Sequence, residues 1–518
     1  MIKRFSTSLA IVAAGSLVAG AVWAGVAQPW QEEDGRRGTS SVAVDATAIG
    51  PDDEAVLASE RARQTSTAEV LDISLTAAPA TIDLGDQTVE TWAFNGTVPG
   101  PEIRLQAGNV LRAEVRNNLP EPLTIHWHGI ALRNDMDGVP GLTQDPIAPG
   151  ATSTYEFTVP DPGTYFYHPH TGTQLDRGLY GALIVEDDVS ASDSGADDVT
   201  VLLDDWIDGT GLDPDDVLQG LTSGAAAEHD MDAMGDMDMD ATDGMEMGMA
   251  TPERPLGGDT SDVDYPLYLI NGRSTPELAV EPSSTTRLRL INAGADTPFR
   301  VAVGGAQLTV VATDGFPVRP VTVDSLVIGM GERYDVMVDV PEGPGLPLVA
   351  AVEGGDGGPA ALLRSGPGEI VSETPRPAEL GGELLSLDDL VATEAVALPD
   401  GAPGRTYEIG LEGDMETYRW ALDAPQDEGV TLPVRTGQRV RLVLRNETMM
   451  WHPIHLHGHT FETVIDGKPG ARKDTVIVPP MESVTVDFVA DNPGSWAIHC
   501  HNIYHAEAGM QTVLSYVR

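Results

Sequence analysis

Gly437-Gln-Arg-Val-Arg-Leu-Val-Leu-Arg-Asn446 alternates apolar and charged residues between a glycine and an asparagine, and it reads as a β-strand. The phrase recurs as Gly108-Asn-Val-Leu-Arg-Ala-Glu-Val-Arg-Asn117 and, in shorter form, as Ser284-Thr-Thr-Arg-Leu-Arg-Leu-Ile-Asn292. Three copies in 518 residues imply three related domains, as the length itself suggests. Around them the chain consists of short alternating runs such as Ile103-Arg-Leu and Thr154-Tyr-Glu-Phe-Thr-Val, punctuated by Gly, Pro, Asn and Asp. Long helical periodicity is scarce. The expectation is an all-β protein of three antiparallel β-sandwiches spanning 67–190, 191–380 and 381–518.

The repeat also organises the histidines. In the first and last copies His-x-His-Gly follows the asparagine at the same distance, as His126/His128/Gly129 and His455/His457/Gly458. Pro162-Gly-Thr-Tyr-Phe-Tyr-His168-Pro-His170 aligns without gaps on Pro493-Gly-Ser-Trp-Ala-Ile-His499-Cys-His501. The middle copy has Val301 and Val303 where such a pair would stand, so it is expected to bind no metal and to act as a spacer. Extending the alignment sets Leu123 opposite His452, Pro169 opposite Cys500, Gln174 opposite His505 and Leu179 opposite Met510. One set of potential ligands is therefore shared by the outer domains, and a second is private to the last.

In a strand, residues two apart face the same way, so each His-x-His pair projects together and Cys500 projects opposite to His499 and His501. Four pairs offer eight imidazoles, enough for several metal ions at a shared interface. Cys500, His452, His505 and Met510 supply one thiolate, two imidazoles and a thioether, the ligand inventory of a blue-copper electron-transfer site. Cys500 is also joined through the backbone to two members of the other set. His459 lies in the same run but is expected to make a structural hydrogen bond.

Composition narrows the partners. A formal charge of -50 and a pI near 4.3 argue against nucleic acid and anionic membranes. A single cysteine excludes an intrachain disulfide and a Cys-rich zinc site. Lys3-Arg4 followed by an apolar run to about Ala27 reads as an export signal or an N-terminal anchor. This places the chain in the periplasm, the cell envelope or outside the cell. Residues 28–66 are polar and weakly patterned, as in a flexible linker.

These motifs, in this order, resemble those of three-domain multicopper oxidases of the laccase and cuprous-oxidase type. Phe94-Asn-Gly-Thr-Val-Pro-Gly-Pro101, Asn271-Gly-Arg273 and Gly331-Glu-Arg-Tyr-Asp335 support the match, which covers about 67–518. The resemblance implies three cupredoxin-like Greek-key sandwiches and four copper ions. His126 and His455 would hold the type 2 ion. His128, His168, His170, His457, His499 and His501 would hold the type 3 pair, and His452, Cys500, His505 and Met510 the type 1 ion. It further implies one-electron oxidation of a reductant coupled to reduction of O2 to water. Asp137 resembles the family's acid near type 2 copper, although Asp137-Gly138 equally suits a turn. Many relatives carry a carboxylate directly after the last type 1 histidine; here that position is Ala506, and Glu507 follows as a second candidate for moving protons.

The reductant is suggested by a stretch at about 228–250 in the middle domain. His229, Met231, Met234, Met237, Met239, Met245, Met247 and Met249 are interleaved there with acids. Thioethers prefer Cu(I), and similar inserts occur in copper-resistance oxidases. The expectation is Cu(I) recruitment for copper tolerance. The alternatives are a laccase acting on phenols and aromatic amines, and an extracytoplasmic protein that sequesters copper without turnover.

Overall fold

The computed structural model describes residues 48–187, 197–223, 250–251, 253–258, 260–368, 376–427 and 429–518. The export-signal run and the Met-rich stretch lie outside them. Six large sheets pack in pairs, giving three β-sandwiches in chain order. In the first, the sheet ordered Thr88–Phe94, Val70–Asp83, Val110–Asn117, Thr152–Thr158 covers the sheet ordered Ile103–Gln106, Gly181–Glu186, Gly163–His168, His126–His128. Their inner faces share one core that includes Leu111, Val115, Trp127, Tyr155 and Leu183. The second and third sandwiches each pair a six-stranded with a five-stranded sheet, over 197–364 and 405–516.

The repeated strand takes the same place in all three. Val110–Asn117, Ser284–Asn292 and Arg439–Asn446 are interior strands, and each closing asparagine is buried and wired alike. Asn117 Oδ1 accepts from the Leu119 amide while Nδ2 donates to the Glu121 and Ile147 carbonyls. Asn292 does the same with Gly294, Thr297 and Ile328. Asn446 repeats it with Thr448, Met450 and Val478. One amide side chain satisfies both turn carbonyls and a turn amide that would otherwise be buried unpaired, each worth about 1–3 kcal/mol. That accounts for the asparagine ending every copy.

Two expectations need correction. The sheets are not purely antiparallel, because each repeated strand pairs in parallel with the first strand of its domain: Val70–Asp83, Asp197–Trp206 and Arg405–Asp414. Between the two, the chain has crossed the sandwich, so the returning strand runs in the same direction. Nor is 28–66 wholly linker, for Glu54–Arg63 is a helix, α1. Asp53 caps it by accepting from the Ala55 amide, with Glu54 in its first turn and Arg61 and Arg63 in its last, as the helix dipole favours. Val56 enters the core of the third sandwich, while buried Glu60 accepts from the Thr158 amide and hydroxyl of the first. Two further helices, α2 (Pro214–Ser223) and α3 (Ile503–Glu507), connect strands of the second and third sandwiches. Among the described residues no helix is long and apolar enough to cross a membrane.

Candidate metal centre

The two outer sandwiches bring their His-x-His strands together. His126 stands opposite His168 across one strand pair, and His455 opposite His499 across the other. The rings fall into groups whose ligand atoms lie within 4.8 Å of one another: His128, His168 and His501; His170, His457 and His499; and His126 and His455 with His128. Each of the first two trios draws on both outer sandwiches.

Cys500 faces the other way, as strand geometry requires. Its Sγ is 3.9 Å from His452 Nδ1 and 3.7 Å from His505 Nδ1, and those two nitrogens are 3.2 Å apart. Met510 is fully buried in the same core, tied there by its amide donating to the His505 carbonyl and its carbonyl accepting from the Cys500 amide. Leu123 and Leu179, the counterparts of His452 and Met510 in the first sandwich, are ordinary core residues.

The ring orientations are set by hydrogen bonds from the far nitrogen. Nδ1 of His126 donates to the Asp137 carbonyl at 2.9 Å, of His168 to Pro169 at 2.7 Å, of His455 to Asp474 at 3.0 Å and of His499 to Cys500 at 2.8 Å. This fixes the tautomer and leaves Nε2 bare and inward. Nε2 of His126, His168, His170 and His455 is buried without a hydrogen-bond partner, as is Nδ1 of His501. The acceptor nitrogens of His457 and His499 confront each other at 2.9 Å. Leaving so many buried acceptors unpaired is costly unless a cation satisfies them, so the donor set fits metal ions. Burial, reinforced by neighbouring imidazoles, holds His128, His168, His170, His452, His457, His499 and His501 well below the usual imidazole range. They are therefore neutral, the form that ligates. Burial likewise pushes the Cys500 thiol up, a cost that a thiolate-bound metal reverses.

Asp137 sits within this cluster. Its Oδ2 accepts from His457 Nδ1 at 2.9 Å, its Oδ1 lies 3.2 Å from His126 Nδ1, and its side chain is fully buried. Glu507 lies elsewhere, partly buried at the end of α3, where burial and Asp215 push its carboxyl up to about 7. His459 donates from Nδ1 to the His457 carbonyl, and its Nε2 lies 2.6 Å from the Tyr516 hydroxyl, a structural role. His229 and the methionines around it fall outside the described residues.

Several residues of the site carry no mark in the chain. His505 Nε2 donates to Asp262 at 2.7 Å, and Asp262 also accepts from the Tyr418 hydroxyl. His452 Nε2 meets the Thr448 hydroxyl at 2.8 Å, and Trp420 lies over His505 with ring centres 4.1 Å apart. Asp262 comes from the middle sandwich, which is thus more than a spacer, although it contributes no member to the metal-capable groups among the described residues.

Comparison with known proteins agrees with this geometry. Three domain families described as multicopper oxidase match residues 76–190, 197–350 and 405–517. The chain is 44% identical to multicopper oxidase MmcO of Mycobacterium tuberculosis, over 89% of this chain and 90% of that protein. It is 30% identical to a copper resistance protein A homolog of Pseudomonas syringae pv. tomato, over 85% and 91%. The crystal structure of a laccase from Botrytis aclada superimposes with a TM-score of 0.66 at 27% identity, covering 90% of each chain. The chain belongs to the multicopper oxidase family: it is a copper-binding oxidoreductase that uses oxygen as its acceptor.

Proposed function

We propose that this oxidase takes its electrons from Cu(I) and serves copper tolerance. The observation that carries the reading is where soft sulfur reaches the surface. Three of the five exposed large apolar residues among those described are methionines: Met415, Met449 and Met481. Met449 follows Thr448, the partner of His452, and the Met481 amide donates to the Thr448 carbonyl. Met415 lies in the turn that leads to Tyr418 and Trp420 beside His505. Thioethers favour Cu(I), and nearby acids add attraction for any cation.

The flanks of the Met-rich stretch support the same reading. Helix α2 sends Val217, Leu218 and Leu221 against the core that holds Cys500 and Met510, and Leu256 is buried in that core. Described residues on either side of 224–249 therefore pack against the sandwich that carries the thiolate. Relatives named as copper resistance protein A are in keeping with a role in tolerance.

In this reading His452, Cys500, His505 and Met510 hold the type 1 ion, and His126 and His455 the type 2 ion. His128, His168 and His501 hold one type 3 ion, and His170, His457 and His499 the other. Bound copper supplies one-electron transfer at Cys500 and O2 reduction among the eight imidazoles. The backbone joins Cys500 directly to His499 and His501. Asp137, bonded to His457 and beside His126, is placed to hand protons to the cluster, with Glu507 as a second acid on the α2 side. Asp262 and Thr448 hold the two type 1 imidazoles in the tautomer that presents Nδ1 to Cys500. The apolar N-terminal run is the basis for proposing export to the periplasm, cell envelope or exterior.

Oxygen consumption by the copper-loaded chain, first with Cu(I) and then with a phenol, tests the substrate. Deleting 229–249 should depress Cu(I) oxidation while sparing or raising phenol oxidation. Equal activity on Cu(I) before and after the deletion would sink the recruitment role of the stretch. Turnover of phenol alone would make the protein a laccase, and copper uptake without oxygen consumption a sequestering protein.

A further inference from the structure

His128 is wired unlike its neighbours. Four of the surrounding imidazoles give Nδ1–H to a backbone carbonyl, which leaves Nε2 as the unprotonated nitrogen. His128 instead directs Nε2 at Asp474 Oδ1, 3.1 Å away, and turns Nδ1 toward His501 Nε2 at 3.2 Å. A carboxylate accepts hydrogen bonds and donates none, so Asp474 makes Nε2 the protonated nitrogen and Nδ1 the one available to a metal.

Asp474 is in turn gripped from the middle sandwich. Arg333 donates Nη1 to Oδ1 at 2.7 Å and Nη2 to Oδ2 at 2.5 Å, a bidentate fork with both side chains fully buried. The guanidinium is aimed by two further bonds, Nε to the Thr164 carbonyl of the first sandwich and Nη1 to its own loop at Gly331. The Arg333 amide donates to Asp314, which also receives the Asp474 and Thr475 amides and lies 3.1 Å from Lys473 Nζ. One arginine thus touches all three domains where they meet beside His128, and a lysine could not reproduce its planar fork.

We propose that Arg333 is a positioning residue for the paired copper site: through Asp474 it holds His128 with Nδ1 directed at the metal, so the middle sandwich, which adds no member to the metal-capable groups among the described residues, helps to assemble the cluster. The inference rests on the assignment of His128 to the copper pair. Losing a partner of this kind costs about 10- to 100-fold in metal affinity.

Arg289 provides the control, being a buried arginine at the same junction that binds Thr164, Asp335 and Asp198 and no histidine. Arg333→Gln should lose the near-ultraviolet band of the coupled pair and its share of bound copper while keeping the blue Cys500 band. Arg289→Gln should keep both bands, and Arg333→Lys should restore the pair only in part. A full copper pair in Arg333→Gln, or equal loss in Arg289→Gln, overturns the proposal. Histidine-selective 15N NMR of the copper-free wild-type chain decides the matter even if the variant fails to fold. The signal assigned through His128→Gln should report a proton on Nε2, and one on Nδ1 overturns the role of Arg333 alone. A wild-type chain that binds copper at Cys500 but forms no coupled pair would instead overturn the ligand assignment.

Discussion

Gly331→Ala asks whether the middle sandwich abuts the copper cluster as the geometry says. Gly331 has a φ of +82°, and a Cβ there would lie 2.8 Å from His501 Cδ2, 2.9 Å from His501 Cγ and 3.1 Å from His128 Cε1. Ordinary carbon contacts are about 3.5–4.0 Å, so one or both rings must retreat by about 0.7 Å. Metal–ligand distances tolerate about 0.2 Å, well short of that. The left-handed backbone adds about 1–2 kcal/mol for any residue with a Cβ, and overpacking about 1–3 kcal/mol. The variant should fold with a lowered melting temperature, keep the blue Cys500 site and lose most of the coupled pair. Metal analysis with absorption spectra of the loaded protein reads all three. A variant that retains its full copper complement and an unchanged near-ultraviolet band would refute the contact between this loop and the rings.

Cys500→Ser should abolish the blue colour and oxidation of every reductant together, and persistent turnover would refute the route through Cys500. Val56→Ala should cost about 1–3 kcal/mol in thermal or urea unfolding because Val56 is buried in the third core; an unchanged midpoint would show that α1 does not brace the fold. The copper-free protein should lose stability as pH falls below about 6.5. The sign follows from nine histidines whose folded pKa values lie below the unfolded one, so protons bind preferentially to the unfolded chain in that window. Each contributes up to about 1.4 kcal/mol per pH unit. Among the carboxyls that burial pushes up, Asp176, Asp204 and Asp296 move furthest and Glu507 reaches about 7; these four act oppositely in this window but are outnumbered by the seven histidines held well below the usual range. Stability that rises on acidification from about pH 6.5 to 5.5 would contradict this balance.

The fold was legible wherever a residue type served a local rule. The repeated strand announced three domains, and its closing asparagine turned out to satisfy the same three backbone groups each time. The histidine pairs and Cys500 separated into two faces because a strand alternates, and the internal alignment told the residues shared by the outer sandwiches from those private to the last. What stayed hidden depends on contacts distant in sequence. Helix α1 turns only Val56 and Glu60 inward, too little to stand out in an acidic stretch. Parallel pairing follows from a crossover that no local pattern encodes. Asp262, Thr448, Asp474 and Trp420 belong to no motif in the chain, and their importance comes from what they touch. Arg333 did carry a signal, the run Gly331-Glu-Arg-Tyr-Asp335, but nothing in that run says it reaches across to Asp474.

Under the proposed function, two copper sites joined at Cys500 couple Cu(I) oxidation to complete reduction of oxygen. The most direct measurement is simultaneous recording of Cu(I) oxidised and O2 consumed by the fully loaded chain. Four Cu(I) per O2, with no hydrogen peroxide released, is the predicted result, since four electrons and four protons convert one O2 to two waters. Two Cu(I) per O2 with stoichiometric peroxide, or no catalysed uptake above that of free copper, would contradict it.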